Sequence, residues 1–226
     1  MAAAALGSWF ATRKSVHESN QFDFHPIQEV VILFAGIFAT MMPALDWLEG
    51  NAGQIHGAGT SFFYWGCGSL SSLLDNAPTY LCFLKAISAH LVDMDTVQQV
   101  NHLIQTHGSD LTTIIGPHSE QIHQTWAALQ KYYSARLAAG TVGTDEIQIA
   151  SLLGHPAYNG YIVAISVASV FFGANTYIGN GPNFMVKSIA DQQKVPTPSF
   201  LNYVFKFALP CMLPILLVVW WLFFRN

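Results

Sequence analysis

Charge is scarce in this sequence. Only 10% of its 226 residues are Asp, Glu, Lys or Arg, whereas about a quarter is usual for a soluble domain. None of these residues occurs over 147–186 or over 207–224. A helix that crosses a bilayer needs roughly 20 apolar residues, so both runs are long enough to cross one. The shortage of charge therefore predicts an all-α integral membrane protein.

Several function classes are disfavoured by what else is missing. A net charge of −4 offers no basic surface for a nucleic-acid partner. The three cysteines, Cys67, Cys82 and Cys211, have no spacing typical of a metal or redox site. No nucleophile paired with a base can be identified, so an enzyme is not expected. The N-terminal basic pair follows the apolar stretch instead of preceding it, which argues against a cleaved signal.

Histidine is present but does not indicate a metal site. The spacing of the histidines in the polar middle of the chain does not force them to converge on zinc: His102, His107, His118 and His123. We therefore expect neither a bound metal nor a cofactor.

Two weaker apolar segments accompany the uncharged runs. Residues 27–48 have an uncharged centre flanked by Glu29 and Asp46, and residues 59–84 contain one acid, Asp75. The chain is divided as follows: a polar lead-in over 1–26, a transmembrane helix and an interrupted hairpin over 27–90, an extramembrane helical insert over 91–157, and a broken helix with a C-terminal transmembrane helix over 158–226. Within the insert, apolar residues over 122–139 recur at helical spacing and predict an amphipathic helix.

The longest uncharged run is interrupted by the stretch "GANTYIGNGPNFM", residues 173–185, in which seven of thirteen residues are Gly, Asn or Pro. An unpaired backbone group in lipid costs several kcal/mol, so irregular backbone persists there only under a cover of protein or water. The stretch is either an ordinary loop between two spans or a helix unwound in its middle. The short and soon polar continuation favours the unwound helix.

A second interruption lies in the segment 59–84, where Asp75, Asn76, Pro78 and Thr79 separate two apolar halves. An acid at membrane depth indicates a functional site because its charge is costly there. The alternative is a loop between two short helices near the surface. Paired interruptions are typical of transporters, in which unwound carbonyls bind cations and half-helix N-termini face anionic groups.

The residues around the two breaks carry a resemblance. "SSLLDNAPTYLCF" followed by "GANTYIGNGPNFMVKSIA" resembles the paired signature of the ion transporter superfamily, in its sodium/proton antiporter, arsenite permease and citrate permease branches. The similarity extends over most of 27–90 and 158–224. The fold that it implies is one inverted-repeat half with a re-entrant hairpin and a broken transmembrane helix.

The resemblance also implies a function. We expect a secondary active transporter, either similar to a Na⁺/H⁺ antiporter or a cation-coupled citrate or carboxylate carrier, with Na⁺ or H⁺ as the coupling ion. The alternative is a structural or channel-like membrane subunit that does not transport. The implied location is the bacterial inner membrane, crossed several times, so that the lipid bilayer and a small ion or carboxylate are the expected partners.

Site residues follow from the resemblance where the motifs align. The expected ion- or substrate-binding residues are Ser72, Asp75, Asn76, Thr79, Asn175, Thr176, Gly179, Asn180 and Asn183. The residues expected to break the helices are Pro78, Gly173, Gly181 and Pro182. The glycines are expected to adopt positive φ, which only glycine does without penalty. Ala168, on the preceding helix face, is expected to tolerate valine.

The chain contains one copy of each motif, whereas proteins of the family contain two, so it resembles the C-terminal half alone. It is expected to be a fragment, one product of a split gene, or a half that assembles with a second copy or a complementary half. Alone, it is expected to expose Asp75, Asn76, Asn175 and Asn180 to lipid, which favours association.

Overall fold

The computed structural model of the chain describes residues 2–16, 25–51, 58–106, 116 and 118–225, so that His107 lies outside the described residues. The described residues contain no strand, which confirms the prediction of an all-α chain. The main helices in chain order are α1 (Ala2–Ala11), α2 (His25–Asn51), α3 (Thr60–Ser71), α4 (Asn76–Leu91), α5 (Met94–Gln105), α6 (Ser119–Tyr132), α7 (Ser134–Ala138), α8 (Thr144–Gly154), α9 (Pro156–Phe172), α10 (Gly181–Gln192) and α11 (Phe200–Phe223).

Two helical segments are long and apolar enough to cross a membrane, Pro156–Asn175 and Phe200–Phe223. The first is α9 with a short 3₁₀ turn, Gly173–Asn175, added at its end. The second is α11, and only 11% of its most apolar stretch of 18 residues is buried. The weaker apolar segment 59–84 forms two shorter helices, and α3 at 12 residues is only about 18 Å long. The described chain therefore has two strong candidates for a full crossing.

Helix α3 runs parallel to α9 along a close seam. Phe63 stacks edge-on against Tyr161, the Cys67 thiol lies 3.6 Å from the Ile165 carbonyl oxygen, and the Ser71 hydroxyl donates to the Ser169 carbonyl oxygen at 2.6 Å. Each step of four residues along α3 meets a step of four along α9, so the contacts repeat once per helical turn. Small residues allow the two backbones to approach this closely.

Two small residues, Gly68 and Ala168, are enclosed in the seam. A Cβ added to Gly68 would lie 2.5 Å from the Phe172 ring, and Ala168 is completely buried. The expectation that Ala168 tolerates valine is therefore wrong, because the face of α9 that bears it packs against protein. Overpacking at such a position costs typically about 1–3 kcal/mol.

Helix α11 packs antiparallel to α3. The fully buried Tyr64 donates its hydroxyl to the Leu216 carbonyl oxygen at 3.1 Å, and the Trp220 indole donates to the Ser61 hydroxyl at 3.0 Å. Upstream of Pro210, residues Val204–Ala208 form a π-helical stretch. Proline lacks the N–H that would pair with the carbonyl four residues back, and a π turn is one way to accommodate that loss.

Helices α3 and α4 form an antiparallel hairpin. The Phe83 ring on α4 stacks edge-on against Phe63, at a centroid distance of 6.2 Å, and it also covers Gly66 on α3. Helix α2 packs along α4 and contacts α10. The turn of this hairpin, residues 72–75, is called the hairpin tip below.

The insert over 91–157, predicted to lie outside the membrane, has its own small core. Val97, Val100 and Ile104 lie on one face of α5 and are buried together with Ile122 and Leu129 of α6. The prediction of an amphipathic helix over 122–139 is confirmed by α6 and α7, which cover most of it. Helix α8 packs against both α6 and α9 and so joins the insert to the apolar helices.

Asp93 caps the first helix of the insert. Its carboxylate accepts hydrogen bonds from the Asp95 amide and the Thr96 hydroxyl, both at 3.1 Å, and it lies 3.0 Å from Nδ1 of His118. Partial burial opposes its ionisation, but these hydrogen bonds and the nearby imidazole outweigh burial and lower the pKa of Asp93. Because the folded-state pKa lies below the unfolded value, ionised Asp93 stabilises the fold above that value and this stabilisation disappears as the pH falls through the folded-state pKa.

We predict that Asp93→Ala destabilises the protein at pH 7. Loss of a helix cap costs about 1 kcal/mol, equivalent to a fall in Tm of about 2–4 °C for a chain of this size. The difference from the wild type should narrow as the pH falls below the unfolded-state pKa of about 4 and through the lower folded-state pKa of Asp93. Thermal unfolding followed by circular dichroism in detergent measures both effects. Asp95→Ala, which removes the neighbouring acid but no cap, is the control, and equal shifts for the two variants would contradict the assignment.

Candidate functional site

The two breaks predicted from the sequence lie against each other. The crossover segment, residues 173–180, passes directly over the hairpin tip after α9 ends. At the closest point a Cβ added to Gly179 would lie 2.6 Å from the Ser71 carbonyl oxygen and 3.0 Å from that of Ser72. The breaks thus meet inside one chain, although they were expected to be uncovered. The contact between the crossover segment and the hairpin tip is called the crossing below.

Serine hydroxyls of the hairpin pair with carbonyls at the end of α9. Ser71 donates to the Ser169 carbonyl oxygen at 2.6 Å, and Ser72 donates to the Phe172 carbonyl oxygen at 3.1 Å. The last four carbonyls of any α-helix have no partner within the helix. In a membrane protein such carbonyls need partners from elsewhere in the protein, and here the hairpin supplies them.

Asn76, the first residue of α4, bridges both breaks. The surrounding acceptors orient its amide so that the nitrogen donates to the Ser169 carbonyl oxygen at 2.8 Å and to the Gly179 carbonyl oxygen at 2.7 Å. One side chain thereby joins the end of α9, the crossover segment and the start of α4. This predicted site residue therefore has a structural role in the crossing.

The crossover segment is held by three further hydrogen bonds. The Thr176 hydroxyl donates to the Ser72 carbonyl oxygen and accepts from the Gly179 amide, the latter at 2.9 Å. Tyr203 of α11 donates its hydroxyl to the Ala174 carbonyl oxygen at 3.0 Å. Several of the backbone groups released by the break therefore have partners, as irregular backbone away from water requires.

Asp75 lies between two helix N-termini. It precedes the first residue of α4, and its Oδ1 accepts a hydrogen bond from the Gly181 amide, at the first residue of α10, at 3.3 Å. Helix N-termini carry partial positive charge from the peptide dipoles. Their meeting at Asp75 favours a negative group at this position.

Two buried oxygens at the crossing have no partner among the described residues, Oδ1 of Asn175 and Oδ1 of Asn180. The nitrogen of the Asn175 amide donates to the Ser72 hydroxyl at 3.1 Å, which leaves its oxygen free to accept. Buried acceptors usually have a partner, so an unpaired one indicates a missing donor or cation. Neutral amide oxygens beside a carboxylate can coordinate a small cation.

The glycines of the break are required for space. Among the described residues the only glycine at positive φ is Gly140, in the insert, so the expectation for Gly173, Gly179 and Gly181 is wrong. A Cβ on Gly173 would lie 2.1 Å from the Asn76 amide and 2.6 Å from the Gly179 carbonyl oxygen. These glycines let two backbones and one side chain pass within contact distance.

Other predicted residues lie at the edge of the crossing. The Thr79 hydroxyl donates to the Asp75 carbonyl oxygen at 3.0 Å within its own helix turn. Pro78 lies in the first turn of α4 and Pro182 in the first turn of α10, where a missing N–H interrupts no helical hydrogen bond. The prolines therefore start helices and do not break them.

Asn183 also lies in the first turn of α10, and the hydrogen bonds of the crossing do not include it.

Sequence reasoning missed two residues of the crossing, Ser71 and Tyr203. The serine doublet Ser71–Ser72 at the start of the hairpin tip was a signal for Ser71, because each of the two hydroxyls reaches a different carbonyl of α9. Tyr203 gave no local signal, since it comes from a helix 29 residues beyond its acceptor.

Aromatic and charged groups brace the far side of the crossover segment. The Tyr177 and Tyr203 rings stack at a centroid distance of 4.3 Å. On α10, Lys187 forms an ion pair with Asp191, one helical turn away.

A family model described as "Putative citrate transport" matches residues 1–224. The match covers both breaks and every residue of the crossing. No curated protein and no solved structure matches the chain. The family match confirms the resemblance to citrate-permease-like ion transporters that the two breaks indicate.

We predict that Gly179→Ala disrupts the crossing. A new methyl group would clash with the backbone carbonyls of Ser71 and Gly173, which have little room to move, and we expect a loss of about 1–3 kcal/mol in the free energy of unfolding. Gly160→Ala on α9 is the matched control. Its Cβ would meet only the Thr60 methyl at 3.6 Å, and alanine favours the helix by up to about 1 kcal/mol. Thermal unfolding in detergent compares the two variants, and equal stabilities would refute the close approach.

Proposed function

The chain belongs to the citrate transport family, and from this premise we propose that it is a secondary active carrier that moves a carboxylate such as citrate together with Na⁺ or H⁺. Members of this family are membrane transporters and do not form an enzyme class. The proposal depends on one observation above all, the meeting of two helix N-termini at Asp75. The same crossing contains two unpaired amide oxygens.

The membrane arrangement that we propose is one inverted-repeat half, with the α3–α4 pair as a re-entrant hairpin and α9–α10 as a broken transmembrane helix, in a multi-pass protein of the bacterial inner membrane. Helix α3 has 12 residues and spans about 18 Å, short of the roughly 30 Å hydrocarbon core. Its antiparallel packing on α4 is consistent with a segment that enters the membrane and returns to the same side.

The cation site that we propose uses Asp75 with the amide oxygens of Asn175 and Asn180. All three belong to or adjoin the crossing, and the two amide oxygens are buried and unpaired. Broken helices of transporters hold Na⁺ through exposed backbone and side-chain oxygens, and a carboxylate adds either charge or a proton site. Ser72 and Asn76 hold this arrangement in place through their bonds to α9.

A carboxylate substrate would compete with Asp75 for the N-terminus of α10. The Gly181 amide now donates to Asp75, and two negative groups at one helix end repel each other. A Na⁺ ion or a proton on Asp75 removes this repulsion and releases the amide for the substrate. Coupling between cation and carboxylate follows from this shared position.

We predict that Asp75→Asn reduces cation-coupled citrate uptake at least 10-fold in proteoliposomes. A hydrogen bond to a charged group contributes about 1.5–3 kcal/mol, and the variant retains the shape of the side chain but loses its charge. Membrane insertion and helix content should be unchanged. The remaining uptake should no longer respond to Na⁺.

Asp46→Asn, at an exposed position of α2, is the control for loss of an acid, and it should leave uptake unchanged. Wild-type coupling in the Asp75→Asn variant would exclude this residue as the coupling group. Cation-independent citrate flux through the wild-type protein would instead indicate a channel.

We also propose that the protein works as a homo-oligomer or with a complementary half. The two breaks supply hydrogen-bond partners to each other, so uncovered backbone is not what requires a partner chain. What favours a partner is the exposed apolar hairpin tip, where Leu73 is 59% exposed next to the proposed cation site. A carrier must close its site on one side at a time, and a second body over the tip would provide that closure.

Single cysteines test this arrangement. We predict that Leu73→Cys at the hairpin tip and Ile178→Cys in the crossover segment form cross-links between chains, in a background without the three native cysteines. Leu217→Cys, on the exposed face of α11, is the control and should not cross-link. An active monomer in nanodiscs, with no cross-link at either test position, would contradict the oligomer and leave the carrier proposal intact.

A further inference from the structure

An apolar cavity of about 470 Å³ lies between α2, α3 and α4. Helix α2 contributes Ile37 and Met41, helix α3 contributes Phe62 and Leu70, and helix α4 contributes Cys82 and Ala86 to its wall. Ligand pockets commonly measure about 300–1,000 Å³, and this cavity lies within that range. None of its lining residues is charged, so it is separate in character from the crossing at Asp75.

The hydroxyl groups in the wall already have partners. Thr40 donates to the Gly36 and Ile37 carbonyls of its own helix, both at 3.0 Å, and Thr79 donates to the Asp75 carbonyl. Water in a cavity needs two to four polar partners, and apolar cavities stay dry. The cavity therefore suits an occupant that forms no hydrogen bonds.

The cavity matches one leaflet of a bilayer in length. Its wall on α4 runs from Pro78 to Ala86, about 12 Å along the helix axis. Half of a hydrocarbon core is about 15 Å thick. The side chains at its rim are apolar and exposed to the outside, with Phe62 at 56%, Leu70 at 47% and Leu74 at 43%. In a membrane protein such a mouth opens onto hydrocarbon.

We propose that this cavity binds one acyl chain of a membrane phospholipid. The occupant packs against Pro78 and Thr79, which form the first turn of α4 directly after Asp75. It thereby contacts the turn of α4 that directly follows the hairpin tip. The site depends on the membrane location of the protein and is independent of which ion or carboxylate is carried.

Photo-crosslinking tests the site on the full chain. The protein is placed in phosphatidylcholine nanodiscs that contain a small fraction of phosphatidylcholine with a diazirine at the end of one acyl chain. After irradiation, peptides are mapped by mass spectrometry. Labelling of the cavity wall on α3 and α4 is expected to exceed labelling of the exposed face of α11 at least fivefold.

Cys82→Phe fills the cavity and should reduce the label on its wall at least fivefold. Cys211→Phe is the matched control because it makes the same change at an exposed position on α11, where the label should stay the same. If Cys82→Phe does not fold, Leu70→Trp at the rim narrows the mouth without entering the buried core. Uniform labelling of all exposed apolar faces, or cavity labelling unchanged in a folded filling variant, would overturn the proposal.

Discussion

The carbonyl oxygens released where α9 ends set the main constraint on this structure. A membrane-embedded helix that stops short leaves acceptors that water cannot satisfy, and each one costs several kcal/mol if it is left unpaired. The carbonyls of Ser169, Phe172 and Ala174 receive side-chain donors from α3, from the first residue of α4 and from α11. The hairpin and the last helix must therefore lie where they do for the break to exist at all.

The parallel seam between α3 and α9 follows from that constraint. Ser71 and Ser72 reach the end of α9 only if the two helices run side by side in register for their whole contact, and Gly68 and Ala168 permit this approach. The buried Tyr64 then fixes α11 on the other side of α3 through the Leu216 carbonyl. A packing interaction far from Asp75 thus positions the hairpin tip that holds Asp75.

The same geometry is the basis of the proposed response of the crossing to ions. Asp75 is joined to α10 by a single hydrogen bond from the Gly181 amide, whereas Asn76 and the two serines have several partners. The charged side chain therefore makes fewer hydrogen bonds at the crossing than these polar side chains. The apolar cavity lined by Pro78 and Thr79 places the first turn of α4 between the polar crossing and an apolar wall. A change on either side would be transmitted to the same turn.

By itself the sequence determined the helical class, the positions of both breaks, the single acid in its apolar segment and the family, because composition, periodicity and motif spacing are local properties of the chain. Tertiary structure alone decided that the breaks meet, since the hydrogen bonds that join them link residues 93–106 positions apart. It also decided that Gly173 and Gly179 serve close contact and that Tyr203 completes the crossing. No local pattern specifies which distant backbone will approach a glycine, so its physical role appears only when the helices are packed.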